Sequence, residues 1–196
     1  MAIVQTFKFS SHCLFLLLLL PECNDHSKDQ LSYSIFWTDA VYMHIKSYSM
    51  LDKEAEELVN KGLGFPWRIV VDSESRKMYW TNVDKNLVQR SDLDGSNTES
   101  LAVISYPQGI ALDTLQKKIY IAESGTPMIM KMNYDGSEID TLIIDTDMVD
   151  PDDIKLDISR KRMYWIDTSL KNIWTAGMDG RDPMVMKFDG IVDPQA

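Results

Sequence analysis

The chain has 196 residues, of which 44% are hydrophobic and 10% aromatic, a composition typical of a folded domain. Its formal net charge of -10 excludes a nucleic-acid-binding surface, because contacts with phosphates need clustered Lys and Arg. A partner attracted by charge should therefore be a protein with a basic or amide-rich segment.

The N-terminal segment differs from the rest of the chain. Lys8 precedes an apolar run from Cys13 to Leu20, which Pro21 ends. The run is too short for a membrane span of about 20 residues, and it fits a signal-peptide core of about 7–15. We predict a signal peptide over residues 1–23, a linker over 24–30, and a secreted or cell-surface protein with no membrane span in this chain. Both cysteines fall in the leader, so no disulfide framework is expected beyond it.

An aromatic motif recurs along the rest of the chain at steps of 43, 41 and 44 residues. Its four copies are Phe36-Trp37-Thr38-Asp39, Tyr79-Trp80-Thr81-Asn82, Tyr120-Ile121-Ala122-Glu123 and Tyr164-Trp165-Ile166-Asp167. Two further markers keep the same register. A Pro-containing run that ends in Asp72, Asp113 or Asp157 precedes three of the copies, and an Asp-Gly pair at Gly95, Gly136 or Gly180 follows them.

Each repeat contains four short β-rich runs, such as Arg68 to Val71, Met78 to Thr81, Leu87 to Ser91 and Ser100 to Ile104. The Asp-Gly pair supplies the positive φ of a tight hairpin between the third and fourth runs. Four antiparallel strands per unit of this length are typical of a propeller blade. The sequence therefore predicts an all-β fold, a β-propeller over residues 31–196, with a longer or partly helical turn near Lys53 to Glu57.

The repeats resemble the class B (YWTD) repeats of the LDL receptor and its relatives. The segments Tyr79-Trp80-Thr81 and Ser91 to Asn97 carry the resemblance most clearly, whereas the third copy lacks the Trp and the fourth has Ile166 in place of Thr. The resemblance implies YWTD-type four-stranded blades whose motif aromatics Tyr79, Trp80, Tyr120, Tyr164 and Trp165 pack between blades. It also implies a six-bladed ring, of which this chain supplies about four.

The resemblance gives expectations about the two ends of the chain. The first repeat has no Pro-containing run upstream, so it should enter its blade at the second strand and receive a first strand from the far end of the ring. Pro194-Gln195-Ala196 repeats the beginning of a further unit. The chain is expected to be an N-terminal propeller fragment, unstable or self-associating by itself, of a full-length protein with a membrane anchor.

Acidic and basic residues are predicted to lie at different ends of the blades. Connections after the second and fourth strands share one end, because the strands run up and down. These connections carry the candidate ligand-binding residues Asp39, Asn82, Asp84, Glu123, Asp147, Asp150 and Asp167. We expect recognition of a protein ligand by an LDL-receptor-related receptor, like a lipoprotein receptor or a Wnt co-receptor, through this acidic end. The alternative is a secreted matrix module like that of nidogen.

An enzyme is the remaining alternative, since some propellers are lactonases. Beyond residue 30 the chain has one histidine, His44, no cysteine and no nucleophile elbow. Neither Asp92 to Gly95 nor the acidic run from Asp145 to Asp153 has EF-hand spacing. No catalytic residue, metal ligand or cofactor is therefore expected.

Overall fold

The computed structural model describes residues 4–8, 13–18 and 33–186. Their regular structure consists of seventeen β-strands. These are β1 (Val4–Lys8), β2 (Cys13–Leu18), β3 (Ser34–Asp39), β4 (His44–Ser49), β5 (Glu54–Val59), β6 (Pro66–Asp72), β7 (Lys77–Asn82), β8 (Leu87–Asp92), β9 (Glu99–Val103), β10 (Pro107–Asp113), β11 (Lys118–Glu123), β12 (Met128–Asn133), β13 (Asp140–Ile144), β14 (Pro151–Asp157), β15 (Arg162–Asp167), β16 (Asn172–Gly177) and β17 (Met184–Met186). The described residues contain no helix long and apolar enough to cross a membrane.

The strands form four sheets in which neighbours along the chain are neighbours in the sheet. Strands β1 to β5 form the first sheet, and β6–β9, β10–β13 and β14–β17 form the other three. These sheets are the blades, and the predicted all-β propeller of four-stranded antiparallel blades is confirmed, with β1 as an additional fifth strand at the edge of the first sheet. The expected helical turn near Lys53 is wrong, because Glu54–Val59 pairs with His44–Ser49 as an outer strand.

The first blade contains a strand that the sequence analysis did not place there. The segment Cys13–Leu18 pairs with Ser34–Asp39, with Leu14 opposite Thr38 and Leu16 opposite Phe36. In the third blade, Gly109 lies opposite Ala122 and Ala111 opposite Tyr120, so β2 occupies the position of a first strand. In this structure β2 therefore occupies the position for which a strand from the far end of the ring was expected, and that expectation stays a prediction.

The predicted signal peptide over residues 1–23 stays a prediction. Outside the described residues lie 1–3, 9–12 and 19–32, with the predicted linker 24–30 among them, and 187–196, which include the partial repeat at Pro194.

The chain divides into two compact units, Met1–Trp80 with Arg90–Glu99, and Thr81–Gln89 with Ser100–Ala196. The core of the first unit is built on Phe36, Ile45, Ile69, Met78 and Trp80, of which Ile45, Met78 and Trp80 are completely buried. Strand alternation brings these side chains together, because successive residues of a strand point to opposite faces.

The core of the second unit contains Tyr120, Ile129, Ile154 and the stacked pair Trp165 and Trp174. The two indole rings lie 5.9 Å apart at 11°, since Trp165 and Trp174 are direct neighbours on β15 and β16. Aromatic cross-strand pairs of this kind stabilise a sheet beyond the area that they bury.

The Asp that ends each Pro-containing run and the Asp-Gly pair both belong to hydrogen-bonded turns at one end of the blades. Asp72 and Asp113 each accept backbone N–H groups of the turn that follows them, and Asp157 does the same for Arg160. Each of these turns then receives a hydrogen bond from the Asp-Gly turn. The donors are the amides of Leu93, Tyr134 and Met178, and the acceptors are the carbonyls of Arg76, Lys117 and Lys161.

Candidate functional site

The threonine of the aromatic motif bonds to the blade that follows. Thr38 Oγ1 donates to the carbonyl of Trp67 and Thr81 Oγ1 to that of Gln108, both at 2.9 Å. Both acceptors directly follow the proline that begins a first strand. Ala122 and Ile166, which replace the threonine in the other two copies, have no hydroxyl to repeat this bond. The motif threonine therefore ties consecutive blades together.

Other motif side chains are also held inside the protein. Tyr79, Trp80, Tyr120 and Trp165 are buried, and Tyr164 is half-buried. The Tyr120 hydroxyl donates to the carbonyl of Met178 in the next sheet, 3.1 Å away. Burial, with the nearby carboxylates of Asp113 and Asp179, raises the pKa of Tyr120 to about 12. Tyr120 is therefore a neutral hydrogen-bond donor at physiological pH.

Four of the seven candidate ligand-binding residues are buried: Asp39, Asn82, Glu123 and Asp167. Asp39, Glu123 and Asp167 accept backbone N–H groups of the loop three residues on, from Tyr42, Thr126 and Leu170. Asn82 donates its amide to Gln89 Oε1 at 3.0 Å. These side chains therefore shape the loops from inside, as short polar side chains do in turns.

The other oxygen of Asp167 reaches a second loop. It accepts the amides of Val149 and Asp150 at 2.7 and 3.2 Å.

Burial raises the pKa of Glu123, and the backbone N–H groups of Thr126 and Gly125 partly offset that effect.

The remaining candidates lie nearer to solvent. Asp84 and Asp147 are exposed, and Asp150 is half-buried. Asp150 accepts the Thr168 hydroxyl at 2.6 Å and the Gln108 amide at 3.1 Å. Lys85 and Lys171 are exposed on the same set of connections, and the sequence analysis left them out. The surface is therefore acidic with two lysines rather than purely acidic.

Hydrogen bonds join these connections in the second unit into one framework, which we call the loop face: residues 83–86, 104–106, 124–127, 145–150 and 168–171. Asn86 accepts the amides of Ile104 and Tyr106, and the amide of Ser124 donates to the Tyr106 carbonyl. Gln108 then links the side chains of Ser124 and Asp150. The loop face is thus a preorganised surface rather than a set of independent loops.

Sequence reasoning missed the apolar part of this surface. Tyr106 and Val149 are about half exposed on the loop face, with Leu170 somewhat less so. Charge alone distinguishes the two ends of the blades in the sequence, and these apolar side chains carry none. Tyr106 directly before Pro107 was the available signal, since an aromatic residue in a short connection has no strand position to bury it.

Two cavities lie at the other end of the blades. One of about 460 Å³ in the second unit is lined by Tyr120, Lys131, Lys161 and Asp179, and one of about 340 Å³ in the first unit by Phe36, Glu54, Glu56 and Arg76. Within the described residues no group of three His, Cys, Asp or Glu side chains is arranged to hold a metal ion.

No protein-family model matches the chain. It is 30% identical over 179 residues to Protein cueball of Drosophila willistoni, an alignment that covers 85% of this chain and 21% of that protein. It is 32% identical over 68 residues to Nidogen-2 of Mus musculus, covering 34% of this chain and 5% of Nidogen-2. The chain thus spans about a fifth or less of the length of these relatives.

Solved structures share the fold. A chain of the nidogen/laminin complex matches 93% of this chain over 79% of its own length, with a TM-score of 0.76 and 19% identity. Virginiamycin B lyase from Staphylococcus aureus matches 97% of this chain over 75% of its own length, with a TM-score of 0.67 and 13% identity. The four sheets and the likeness to these solved structures make the fold a β-propeller of antiparallel blades. The structural neighbours include both a binding protein and an enzyme, so the fold alone does not decide the activity.

Proposed function

We propose that the chain is an extracellular protein-interaction module of the nidogen type, which binds a protein partner through the loop face. The hydrogen-bonded framework from Asn86 through Tyr106, Gln108 and Asp150 to Thr168 carries this proposal. Rigid loops bind with less loss of conformational entropy than mobile ones, and propellers keep functional residues in such connections.

The charge of the loop face supports a partner with a basic or amide-rich segment. Asp84 and Asp147 are exposed there, and Asp167 is buried and bonded to three loop amides. Exposed rim charges act mainly on the rate of association and on its salt dependence. The partner should therefore bind faster at low ionic strength.

Of the two binding functions predicted from the sequence, the matrix module like that of nidogen has more support than the LDL-receptor-related receptor. Nidogen occurs both among the relatives in sequence and among the structural neighbours. The LDL-receptor-related role, the Wnt co-receptor role and the membrane anchor rest on the repeat motif alone. Extracellular location is proposed on the same likeness.

We propose no catalytic role. A lyase shares the fold, but beyond residue 30 the chain offers only His44 as an imidazole, and in the structure His44 lies on β4 with Nδ1 3.2 Å from the Glu57 carboxylate. The exposed side chains of the loop face are carboxylates, lysines, a tyrosine, Ser and Thr hydroxyls and aliphatic groups. Its residues include no histidine that could act as a base for these hydroxyls, so the set suits recognition better than acid–base chemistry.

Binding of the full chain to immobilised laminin tests the proposal, since laminin is the protein in complex with nidogen in the structural neighbour. We expect saturable binding that weakens about tenfold or more when Asp84 and Asp147 are both changed to Lys, because reversal places like charges opposite a basic partner. Changing Glu54 and Glu56 on β5 both to Lys is the matched charge-reversal control, and that variant should bind as the unmodified chain does. Absence of binding, or equal effects of loop-face and control variants, would contradict the proposal.

A further inference from the structure

Tyr106 has an unusual backbone conformation. Its φ of 45° lies in the left-handed region, which a bulky side chain seldom adopts. It also precedes Pro107, and the ring of a proline restricts the residue before it to extended conformations. Among the described residues it is the one aromatic with a positive φ, and the equivalent positions Phe65 and Asp150, each before a proline, do not share it.

Neighbouring loops hold Tyr106 in this conformation through both of its backbone polar groups. Its amide donates to Asn86 Oδ1 at 2.9 Å, and its carbonyl accepts the amide of Ser124 at 3.2 Å. Asn86 is fixed in turn, because its own carbonyl accepts the amide of Ile104 at 2.9 Å. The strain at Tyr106 is therefore imposed by two connections of the loop face.

Packing of the Tyr106 side chain contributes little folding stability to offset this strain. It is 56% exposed, so most of its apolar surface stays in water. A strained backbone persists where the surroundings determine it, and such positions cluster at ligand-binding sites. Tyrosine is also among the residues that dominate binding energy at protein interfaces, since it has a large surface and few rotatable bonds.

We propose that Tyr106 is the anchor residue of the loop face and that it contacts an apolar side chain of an extended partner segment. This inference rests on the function proposed above and adds the residue and the partner class. Val149 on the same face adds apolar surface, while Asp84 and Asp147 offer exposed carboxylates. The segment that fits combines an apolar side chain with a neighbouring Lys or Arg.

Thermal unfolding gives a test that needs no ligand. Tyr106→Asn should raise the unfolding midpoint by about 2–4 °C, because Asn accepts a left-handed backbone and little packing is lost. Phe65→Asn is the control, since Phe65 stacks on Trp67 at 5.9 Å without a positive φ, and that variant should lower the midpoint. A lower midpoint for Tyr106→Asn would show that tyrosine is kept for folding and would overturn the inference.

Selection of phage-displayed random dodecapeptides on the full chain tests the partner class. Peptides enriched on the unmodified chain should carry an apolar residue beside Lys or Arg. Their affinity should fall about tenfold or more on Tyr106→Asn. It should be unchanged on Leu115→Asn, an exposed position at the opposite end of the blades.

The outcomes separate this inference from the proposed function. If the peptides lose affinity when Asp84 and Asp147 are reversed but not with Tyr106→Asn, the loop face binds and the anchor is wrong. If no loop-face variant weakens binding, both proposals fail. Enrichment of acidic peptides would overturn the partner class.

Discussion

At the scale of single residues, the glycine of the Asp-Gly turn is needed for two separate reasons. Gly95 has a φ of 81°, and a Cβ built on it would lie 2.0 Å from the carbonyl oxygen of Leu58 in the preceding blade. Gly136 and Gly180 meet Leu101 and Leu142 in the same way, at 2.4 and 2.5 Å. The sequence predicted the turn conformation, but the close approach of two backbones became visible only in the structure.

Gly62 offers a matched control for this effect, since it has a φ of 66° and no atom within 4 Å of an added Cβ. Gly62→Ala should lower the free energy of unfolding by about 1–2 kcal/mol, the cost of a left-handed alanine. Gly95→Ala should cost about 1–3 kcal/mol more, because backbone atoms must also move. Equal losses in denaturant titrations of the two variants would show that the contact with Leu58 carries no energy.

Glu123 should make stability depend on pH. Its pKa is raised by burial, so the folded chain holds the proton more tightly than the unfolded chain does. Stability from this group is therefore present at low pH and is lost as the pH rises from the unfolded value of 4.5 through the raised folded value. Glu123→Gln keeps an oxygen for the Thr126 amide without the buried charge. We expect its unfolding midpoint to exceed that of the unmodified chain more at pH 7 than at pH 4, and the opposite order would contradict the assignment.

At the scale of elements, the contact between consecutive blades is the feature that the repeat encodes most directly. Thr81 Oγ1 is buried and bonds to the Gln108 carbonyl, so Thr81→Val should lower the free energy of unfolding by about 1 kcal/mol. Thr141→Val on the exposed face of β13 is the control and should change it by less than about 0.5 kcal/mol. Chemical denaturation compares the two, and equal effects would show that the inter-blade bond is replaceable.

A strand could be predicted from the sequence where turn residues mark its ends, and it was missed or misassigned where they do not. The strands of the second blade were placed within one or two residues, because turn residues and alternating burial mark both ends of each run. The first strand of the first blade was missed, because Cys13–Leu18 lacks the Pro and Asp markers and its apolar run also fits a signal peptide. Glu54–Val59 was assigned to a turn because its charges resemble a solvated loop, while pairing with β4 decides its conformation.

The candidate site was predicted only in outline. Within the second unit, the bonds from Tyr106 to Asn86 and from Thr168 to Asp150 join connections that strand parity had grouped together. Sequence could not separate Asp167, which is bonded inside the fold, from Asp147, which is exposed, since both are aspartates near strand ends. That distinction depends on which backbone amides come within reach after folding.

At the scale of the whole molecule, the account assigns different roles to the two ends of the blades. One end holds the Asp-Gly turns against the carbonyls of Arg76, Lys117 and Lys161, and these contacts stabilise the fold. The other end presents exposed carboxylates and Tyr106 on loops that hydrogen bonds hold in place. The proposed binding function therefore belongs to the second end.

Hydrogen exchange of the full chain, free and bound to laminin, tests this central claim most directly, because it locates a partner without any substitution. The account predicts slower exchange on binding in residues 83–86, 104–106 and 145–150. Residues 114–117 and 135–138, in turns at the opposite end, should be unchanged. Protection confined to those opposite turns, with the loop face exchanging as in the free chain, would contradict the account.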